Sequence, residues 1–283
     1  MPLYQIILLA SIQGLTELLP VSSSAHVIVA EKLLGLDPSS PEMTLLLLML
    51  HTGTMLAVLA YFWKDWKGTY FQSSFKGRAF LNQVILATLT TAVVGFGLKW
   101  VIEKVVMKDN PNAEVEMLFG DFRVISTALA CAGLLILWAA SREKKIHPDK
   151  GLGPRESFYI GLTQGLCLPF RGFSRSGATI SVGMIQRVPK SKSEDFSFAL
   201  ALVITLPLLL KEAHRLAKAH AFMGLDLGQK MALFTPGLLG MVFSFGAGLL
   251  ALKWLSSWLN RGRWKWFGVY CLAFSTLLWF WRP

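Results

Sequence analysis

Apolar residues along this 283-residue chain gather into long runs separated by short polar segments. Six runs approach the roughly 20 residues that a helix needs to cross a bilayer: Thr44 to Trp63, Phe80 to Trp100, Val124 to Ala140, Phe196 to Leu210, Leu233 to Leu252 and Trp266 to Trp281. The fourth is the shortest and carries Pro207. Aromatic residues mark several ends, among them Tyr61, Phe62, Trp63, Trp66, Trp100, Trp264, Trp266, Trp279 and Trp281, as an interfacial belt would have them. Two further apolar regions, Leu3 to Leu36 and Ser157 to Val188, are each broken near the middle by proline, glycine and a serine cluster. Neither half of either region spans comfortably. Irregular backbone at membrane depth is tolerated only where it is buried in protein or lines a wet cavity, so each region is expected to form a re-entrant hairpin that enters and leaves on one side. The expected fold is an all-α integral membrane protein with about six transmembrane helices plus two re-entrant helical hairpins in an inverted repeat.

Loop charge sets the expected orientation. The segment from Lys64 to Arg78 carries Lys64, Lys67, Lys76 and Arg78 against Asp65, while Val101 to Asp121 holds five acids against Lys104 and Lys108. The positive-inside bias puts the first in the cytoplasm and the second outside. Alternation then puts Ser141 to Ser157 (Arg142, Lys144, Lys145, Lys150, Arg155) and Lys253 to Lys265 inside as well. Lys211 to Lys230 dissents: it falls outside by parity yet carries Lys211, Arg215, Lys218 and Lys230 against Glu212 and Asp226. By the same parity the two hairpins approach from opposite faces, which is how an inverted repeat places its site near the midplane. The chain is expected to be a single membrane domain over 1–283, with halves of roughly 1–121 and 157–283 joined by the span at 124–140. The repeat is faint in letters: each hairpin begins Gln-Gly-Leu, and a serine follows the glutamine at an offset of ten, Ser23 after Gln13 and Ser174 after Gln164.

Composition excludes an ordinary soluble domain, since 53% of residues are hydrophobic and 16% charged. A net charge of +11 raises the question of nucleic acid, but the basic residues sit in short loops between apolar runs rather than along one solvated face, so anionic lipid headgroups are the expected partner and nucleic acid is not. Cys131, Cys167 and Cys271 show no metal-ligand spacing and read as small core residues. The N-terminus has neither the basic region nor the cleavage pattern of a secretory signal, so none is expected.

The hairpin tips carry the candidate chemistry. Gln13 and Glu17 are one helical turn apart, and the helix should end near Pro20 in Ser22, Ser23 and Ser24 before His26. A carboxylate, an imidazole and several hydroxyls thus converge, and ionisable groups at membrane depth mark function. The bland alternatives are a Glu17 satisfied by hydroxyls or a lysine, and a satisfied core histidine at 26. In the second tip Gly172-Phe173-Ser174-Arg175-Ser176-Gly177-Ala178-Thr179 offers small residues, the hydroxyls of Ser174, Ser176 and Thr179, and a guanidinium suited to bidentate phosphate contact. A helix starting there would add free N–H groups for phosphate, although Ser174 and Thr179 also suit plain capping. Arg175 at that depth needs an anion, either Glu17 or an incoming phosphate. His51 suits a polar group facing the bundle interior as well as it suits a catalytic one, Thr52 and Thr54 suit helix contacts, Ser197 with Glu194 and Asp195 suits a helix start, and His214 and His220 suit a solvated loop.

These motifs resemble those of the undecaprenyl-diphosphate phosphatase family, integral membrane enzymes linked to bacitracin resistance. The first appears as Gln13-Gly14-Leu15-Thr16-Glu17 with Leu19-Pro20-Val21-Ser22-Ser23 and His26, the second as Gly172 to Thr179, and Glu194-Asp195-Phe196-Ser197-Phe198 also fits. The resemblance implies hydrolysis of undecaprenyl diphosphate to the monophosphate, which recycles the lipid carrier for cell-wall polymers, with a divalent cation, Mg²⁺ or Ca²⁺, as helper. It implies that Glu17 and the residue at Gln13 form the acidic or metal-associated motif, that His26 does acid–base work and that Arg175 holds diphosphate. It further implies interlocking re-entrant hairpins, homodimers, the bacterial cytoplasmic (inner) membrane and a site on the external side. Two positions depart from the family pattern. Gln13 stands where many members have glutamate, and Leu168-Pro169-Phe170-Arg171-Gly172 replaces a shorter segment in which proline directly precedes the glycine, so that Arg171 either adds a phosphate contact or shifts the loop.

The expected mechanism has Arg175, loop N–H groups and a cation neutralising the diphosphate, with Glu17 and His26 activating a nucleophile and protonating the leaving oxygen. That nucleophile is water or a serine, Ser23 before Ser174. Ser22, Ser24, Gly172, Ser176, Thr179 and Gln13 are the expected phosphate contacts, and Glu17 the possible metal ligand alongside substrate phosphates. A Ser-Arg-x₅-His phosphatase is excluded, because its histidine would fall at Ser181. A polyprenyl-phosphate flippase or transporter is the rival from another class, and a plain scaffold leaves Glu17, His26 and Arg175 without a task.

Overall fold

A computed structural model describes residues 1–38, 40–108, 114–143, 146, 150–218 and 227–281. Its described residues form ten α-helices and no strand: α1 (Leu3–Leu18), α2 (Ser23–Leu33), α3 (Pro41–Thr69), α4 (Ser74–Val101), α5 (Phe122–Ser141), α6 (Pro154–Cys167), α7 (Arg175–Ile185), α8 (Lys190–Lys218), α9 (Leu227–Asn260) and α10 (Trp264–Phe280). A π-helical turn over Ile102–Val106 extends α4, and a 3₁₀ turn over Val115–Gly120 precedes α5.

Five helical segments, Glu42–Thr69, Ser74–Val106, Phe122–Ser141, Lys190–Arg215 and Leu233–Asn260, are long and apolar enough to cross a membrane, matching the first five expected spans. The sixth is the 17-residue helix α10, about 25 Å long at 1.5 Å per residue and so somewhat shorter than a hydrocarbon core. The protein is a multi-pass, all-α membrane protein.

The two broken regions are helix–turn–helix pairs, α1–α2 and α6–α7. At α1 the break follows from proline sterics. Leu19, which precedes Pro20, is driven out of the helical region to φ −74°, ψ 150°. At α6 Leu168 keeps helical angles despite Pro169, and the chain turns instead at Gly172, φ +101°, where a Cβ would lie 2.2 Å from the Ile125 carbonyl oxygen.

Each pair is followed by three helices, and the packing is reciprocal. Helix α1 lies against α9 and α6 against α4, while α5 packs on α10. The Gln-Gly-Leu repeat has a packing reason: a Cβ on Gly14 would meet Ala247 Cβ at 2.6 Å on α9, and one on Gly165 would meet Val94 Cβ at 2.7 Å on α4. The glycine in each tripeptide lets its hairpin approach the fourth helix of the other half.

Several local expectations are corrected. Helix α8 starts at Lys190, so Ser197 is in its interior rather than at a helix start, and α8 runs on through His214 to Lys218 where a solvated loop was expected. Cys167 and Cys271 are buried, but Cys131 is exposed on α5. Asp109, Lys144, Lys145, His220 and Asp226 lie outside the described residues.

Candidate active site

Glu17, near the end of α1, is where the two hairpin tips meet. From one turn back on the same helix, Gln13 Nε2 donates to Glu17 Oε2 at 3.2 Å. After Pro20 the chain passes through Ser22 at φ +68°, a conformation that costs a non-glycine residue of order 1–3 kcal/mol. That turn makes Ser23 the first residue of α2. Its Oγ donates to Glu17 Oε2 at 2.5 Å.

The second tip supplies the cation. Arg175 is the first residue of α7, whose N-terminus is capped by Ser174: the Gly177 N–H donates to Ser174 Oγ at 3.3 Å. Arg175 Nη2 donates to Glu17 Oε1 at 2.9 Å, and Nη1 to Thr205 Oγ1 on α8 at 3.3 Å. The Arg175 and Glu17 side chains are only 19% and 11% exposed. Burying two opposite charges this far is costly unless both are paired and hydrogen-bonded, and here both are.

Hydrogen bonds also close the tips on each other. The Gly172 N–H donates to Ser24 Oγ at 3.3 Å, and Ser176 Oγ donates to the Leu19 carbonyl at 3.3 Å. The result is a cleft of about 110 Å³ lined by Thr16, Glu17, Ser22, Ser23, Ser24, Phe173, Ser174, Arg175 and Ser176. A carboxylate on a hydroxyl, a guanidinium and a capped helix N-terminus face one small volume, an arrangement that can bind an anionic phosphate and deprotonate a hydroxyl beside it. A larger open hollow of about 620 Å³ lies elsewhere, beside Glu143, Lys190 and Asn260. Its Lys190 is already paired with Glu143, so it offers no comparable chemistry.

Not every expected residue reaches the cleft. His26 does not line it. Its Nδ1 is 2.8 Å from the Ser22 carbonyl oxygen, its Nε2 is 2.6 Å from Tyr270 Oη, and its ring stacks 4.3 Å from Phe274. Since a carbonyl only accepts, Nδ1 carries the hydrogen in that contact, and the imidazole braces the strained turn before Ser23. Thr179 is fully buried, bonded to the Arg175 carbonyl at 2.8 Å and to Ser197 Oγ at 2.6 Å, so it ties α7 to α8. Arg171 stacks 4.3 Å over the Phe119 ring and is absent from the cleft lining.

Two groups gain weight beside the expected ones. His51 on α3 places Nε2 3.8 Å from Glu17 Oε2 while Nδ1 holds the Leu47 carbonyl at 2.8 Å. Its polar character within an apolar run was the available signal. Thr205 had none, because a threonine in a span is ordinary and only the chain's path brings α8 to Arg175.

For a resident divalent cation the side chains do not fit. No group of three His, Cys, Asp or Glu side chains able to hold a metal occurs among the described residues. Glu17 is the one carboxylate lining the cleft, and Arg175 already neutralises it.

Comparison with known proteins gives a concordant result. The family model described as "Bacitracin resistance protein BacA" matches residues 6–277. The chain is 52% identical over 278 residues to the protein named undecaprenyl-diphosphatase 2 of Acinetobacter baylyi, covering 97% of this chain and 96% of that one. It is 32% identical over 286 residues to undecaprenyl-diphosphatase 1 of Burkholderia pseudomallei, covering 96% and 94%. With undecaprenyl-diphosphatase of Salinibacter ruber it shares 30% identity over 292 residues, covering 98% of each.

Proposed function

This chain belongs to the bacitracin resistance protein family, and on that premise we propose that it hydrolyses undecaprenyl diphosphate to undecaprenyl phosphate and inorganic phosphate. The observation that carries the reading is the Arg175–Glu17–Ser23 chain of contacts, 2.9 and 2.5 Å, inside a serine-lined cleft. A flippase has no use for a hydroxyl held on a carboxylate. Phosphoryl transfer needs a positioned nucleophile and fixed positive charge.

In this scheme the terminal phosphate enters beside Arg175, whose guanidinium exchanges part of its contact with Glu17 for phosphate oxygens. Glu17 Oε2 takes the proton of Ser23, and Ser23 Oγ attacks the terminal phosphorus. The bond to the bridging oxygen breaks and undecaprenyl phosphate leaves, taking the proton from Glu17 on its newly freed oxygen. Water then gives one proton to Glu17 as its oxygen attacks the phosphoserine phosphorus, inorganic phosphate is released, and the proton passes from Glu17 back to Ser23 Oγ to restore the hydroxyl. Ser23 is preferred to Ser174 because Ser174 Oγ is engaged in capping α7. His26 acts here through Ser22, holding the turn that presents Ser23, rather than as a proton donor within the cleft. Gln13 orients Glu17, and the remaining serines frame the phosphate, with Ser24 held by the Gly172 N–H, which itself does not line the cleft.

Mg²⁺ or Ca²⁺, if used, would arrive on the diphosphate with Glu17 as its protein contact, and no step above runs through it. The finer reading places the protein in the bacterial cytoplasmic membrane with the cleft opening outside. Hydrolysis of added substrate by right-side-out but not inverted vesicles tests that. The acidic Val101 to Asp121 segment, against the basic loops that the positive-inside bias assigns to the cytoplasm, supports it. The halves are read as roughly 1–121, holding α1–α4, and 157–283, holding α6–α10, with α5 as the connecting span, and the packing of α1 on α9 and of α6 on α4 supports that reading. A homodimer is part of the proposal, tested by the mass of the detergent-solubilised particle. The deciding assay for function is phosphate release from undecaprenyl diphosphate by purified protein. Wild type should release phosphate while Glu17→Ala and Arg175→Ala fall by at least about 100-fold. Transfer of labelled lipid between leaflets without phosphate release would instead establish the flippase.

A further inference from the structure

Arg175 approaches the phosphate with a guanidinium fixed at two corners, and only one of its two partners belongs to the hairpins. Nη2 is on Glu17 Oε1 at 2.9 Å, while Nη1 is on Thr205 Oγ1 at 3.3 Å. Thr205 stands on α8, a helix long and apolar enough to cross the membrane. Its hydroxyl does not line the cleft but reaches, from a spanning helix, the guanidinium of Arg175, which does. Two residues further on is Pro207, the proline inside α8. Having no N–H, Pro207 leaves the Val203 carbonyl without its helical donor in the turn that also carries Thr205, although α8 continues through it. Higher on the same helix Ser197 bonds Thr179 at 2.6 Å, so α8 grips α7 at a second point and holds Thr205 in register with Arg175.

We propose that Thr205 is a positioning residue for the phosphate clamp, which keeps the Arg175 guanidinium in its working plane while the diphosphate displaces Glu17 from Nη2. The inference rests on the phosphatase reading of the site. Its reason is geometric. When phosphate oxygens compete for Nη2, the Glu17 contact is the one that must loosen, because Glu17 has to receive the Ser23 proton. Without a second anchor the guanidinium would turn with Glu17 about its terminal torsions, and a phosphate displaced by about 1 Å from the attacking oxygen costs up to about 100-fold in rate. The Thr205 hydroxyl, which accepts from Nη1 and is no rival to the phosphate for charge, leaves the remaining N–H donors for the substrate.

The test is steady-state hydrolysis of undecaprenyl diphosphate by Thr205→Val and Thr205→Ser in full-length purified protein. Valine keeps the shape and removes the acceptor; serine keeps the acceptor. Thr205→Val should lose roughly tenfold in kcat with KM changed by less than about threefold, because the defect lies in alignment rather than in capture. Thr205→Ser should stay within about twofold of wild type, and both variants should melt with the wild-type protein. In an Arg175→Lys background, which has no guanidinium to align, Thr205→Val should cost no further activity where lysine leaves a measurable rate. Wild-type kcat in Thr205→Val, or equal losses in the valine and serine variants, overturns the proposal. Near-normal activity in Arg175→Ala would instead sink the reading of the whole site, so the two failures are distinguishable.

Discussion

Ser23 owes its position to three neighbours: Glu17, which takes its hydrogen bond at 2.5 Å; Ser22, bent to φ +68° before it; and His26, which holds the Ser22 carbonyl at 2.8 Å. If Ser23 is the attacking group, Ser23→Ala should lower kcat roughly a thousandfold or more and leave no acid-stable phosphoserine after a rapid quench. A loss of tenfold or less would hand the attack to water. Gly172 bears a different constraint, with its φ of +101° and the Ile125 carbonyl 2.2 Å from where a Cβ would sit. Gly172→Ala should destabilise by about 2 kcal/mol or more and open the tip, seen together as a lower Tm and lost activity. At this scale Glu17, Ser23 and Arg175 were legible because charge and clustered hydroxyls are conspicuous against an apolar background. The direction of the His26 ring was not, since an imidazole beside a carboxylate in sequence says nothing of where its nitrogens point.

Helix ends decide how firmly the second hairpin is seated. Glu156, in the first turn of α6, accepts from the Gly153 N–H at 3.1 Å and pairs with Lys150 at 2.9 Å. Burial pushes its carboxyl up, but the hydrogen bond and charge of Lys150 and the backbone donors outweigh it and hold the group below the usual carboxylate range. A depressed folded value stabilises above the unfolded value and is lost as pH falls through the folded one. The Tm gap between wild type and Glu156→Gln should therefore be present at pH 7 and close as pH drops below about 4. A gap that persisted in acid would show that Glu156 acts by packing alone. Hydrophobic run length made α3, α4, α5, α8 and α9 readable. The start of α8 was misplaced, because its polar first turns at Lys190–Asp195 are helical for reasons of packing and lie outside the apolar run.

For the whole molecule, the absence of a three-ligand metal group among the described residues has a thermal consequence. Chelation of divalent cations should leave Tm unmoved without substrate, and any effect on turnover should appear mainly in KM, because a cation that comes and goes with the diphosphate does not stabilise the empty protein. A Tm drop of several degrees on chelation would instead require a resident ion.

The sequence by itself determined the membrane environment, the approximate limits of five of the six expected spans, and the two interrupted segments. Those properties follow from local hydropathy, proline sterics and the price of burying charge. Tertiary structure alone decided that Glu17 and Arg175, 158 positions apart, share an ion pair. It also turned His26 toward Ser22 and Tyr270, sent Arg171 to Phe119, and brought Thr205 from a spanning helix to the guanidinium. Each of these depends on how helices distant in sequence pack, and side-chain direction at a helix crossing is set by that packing and not by spacing along the chain.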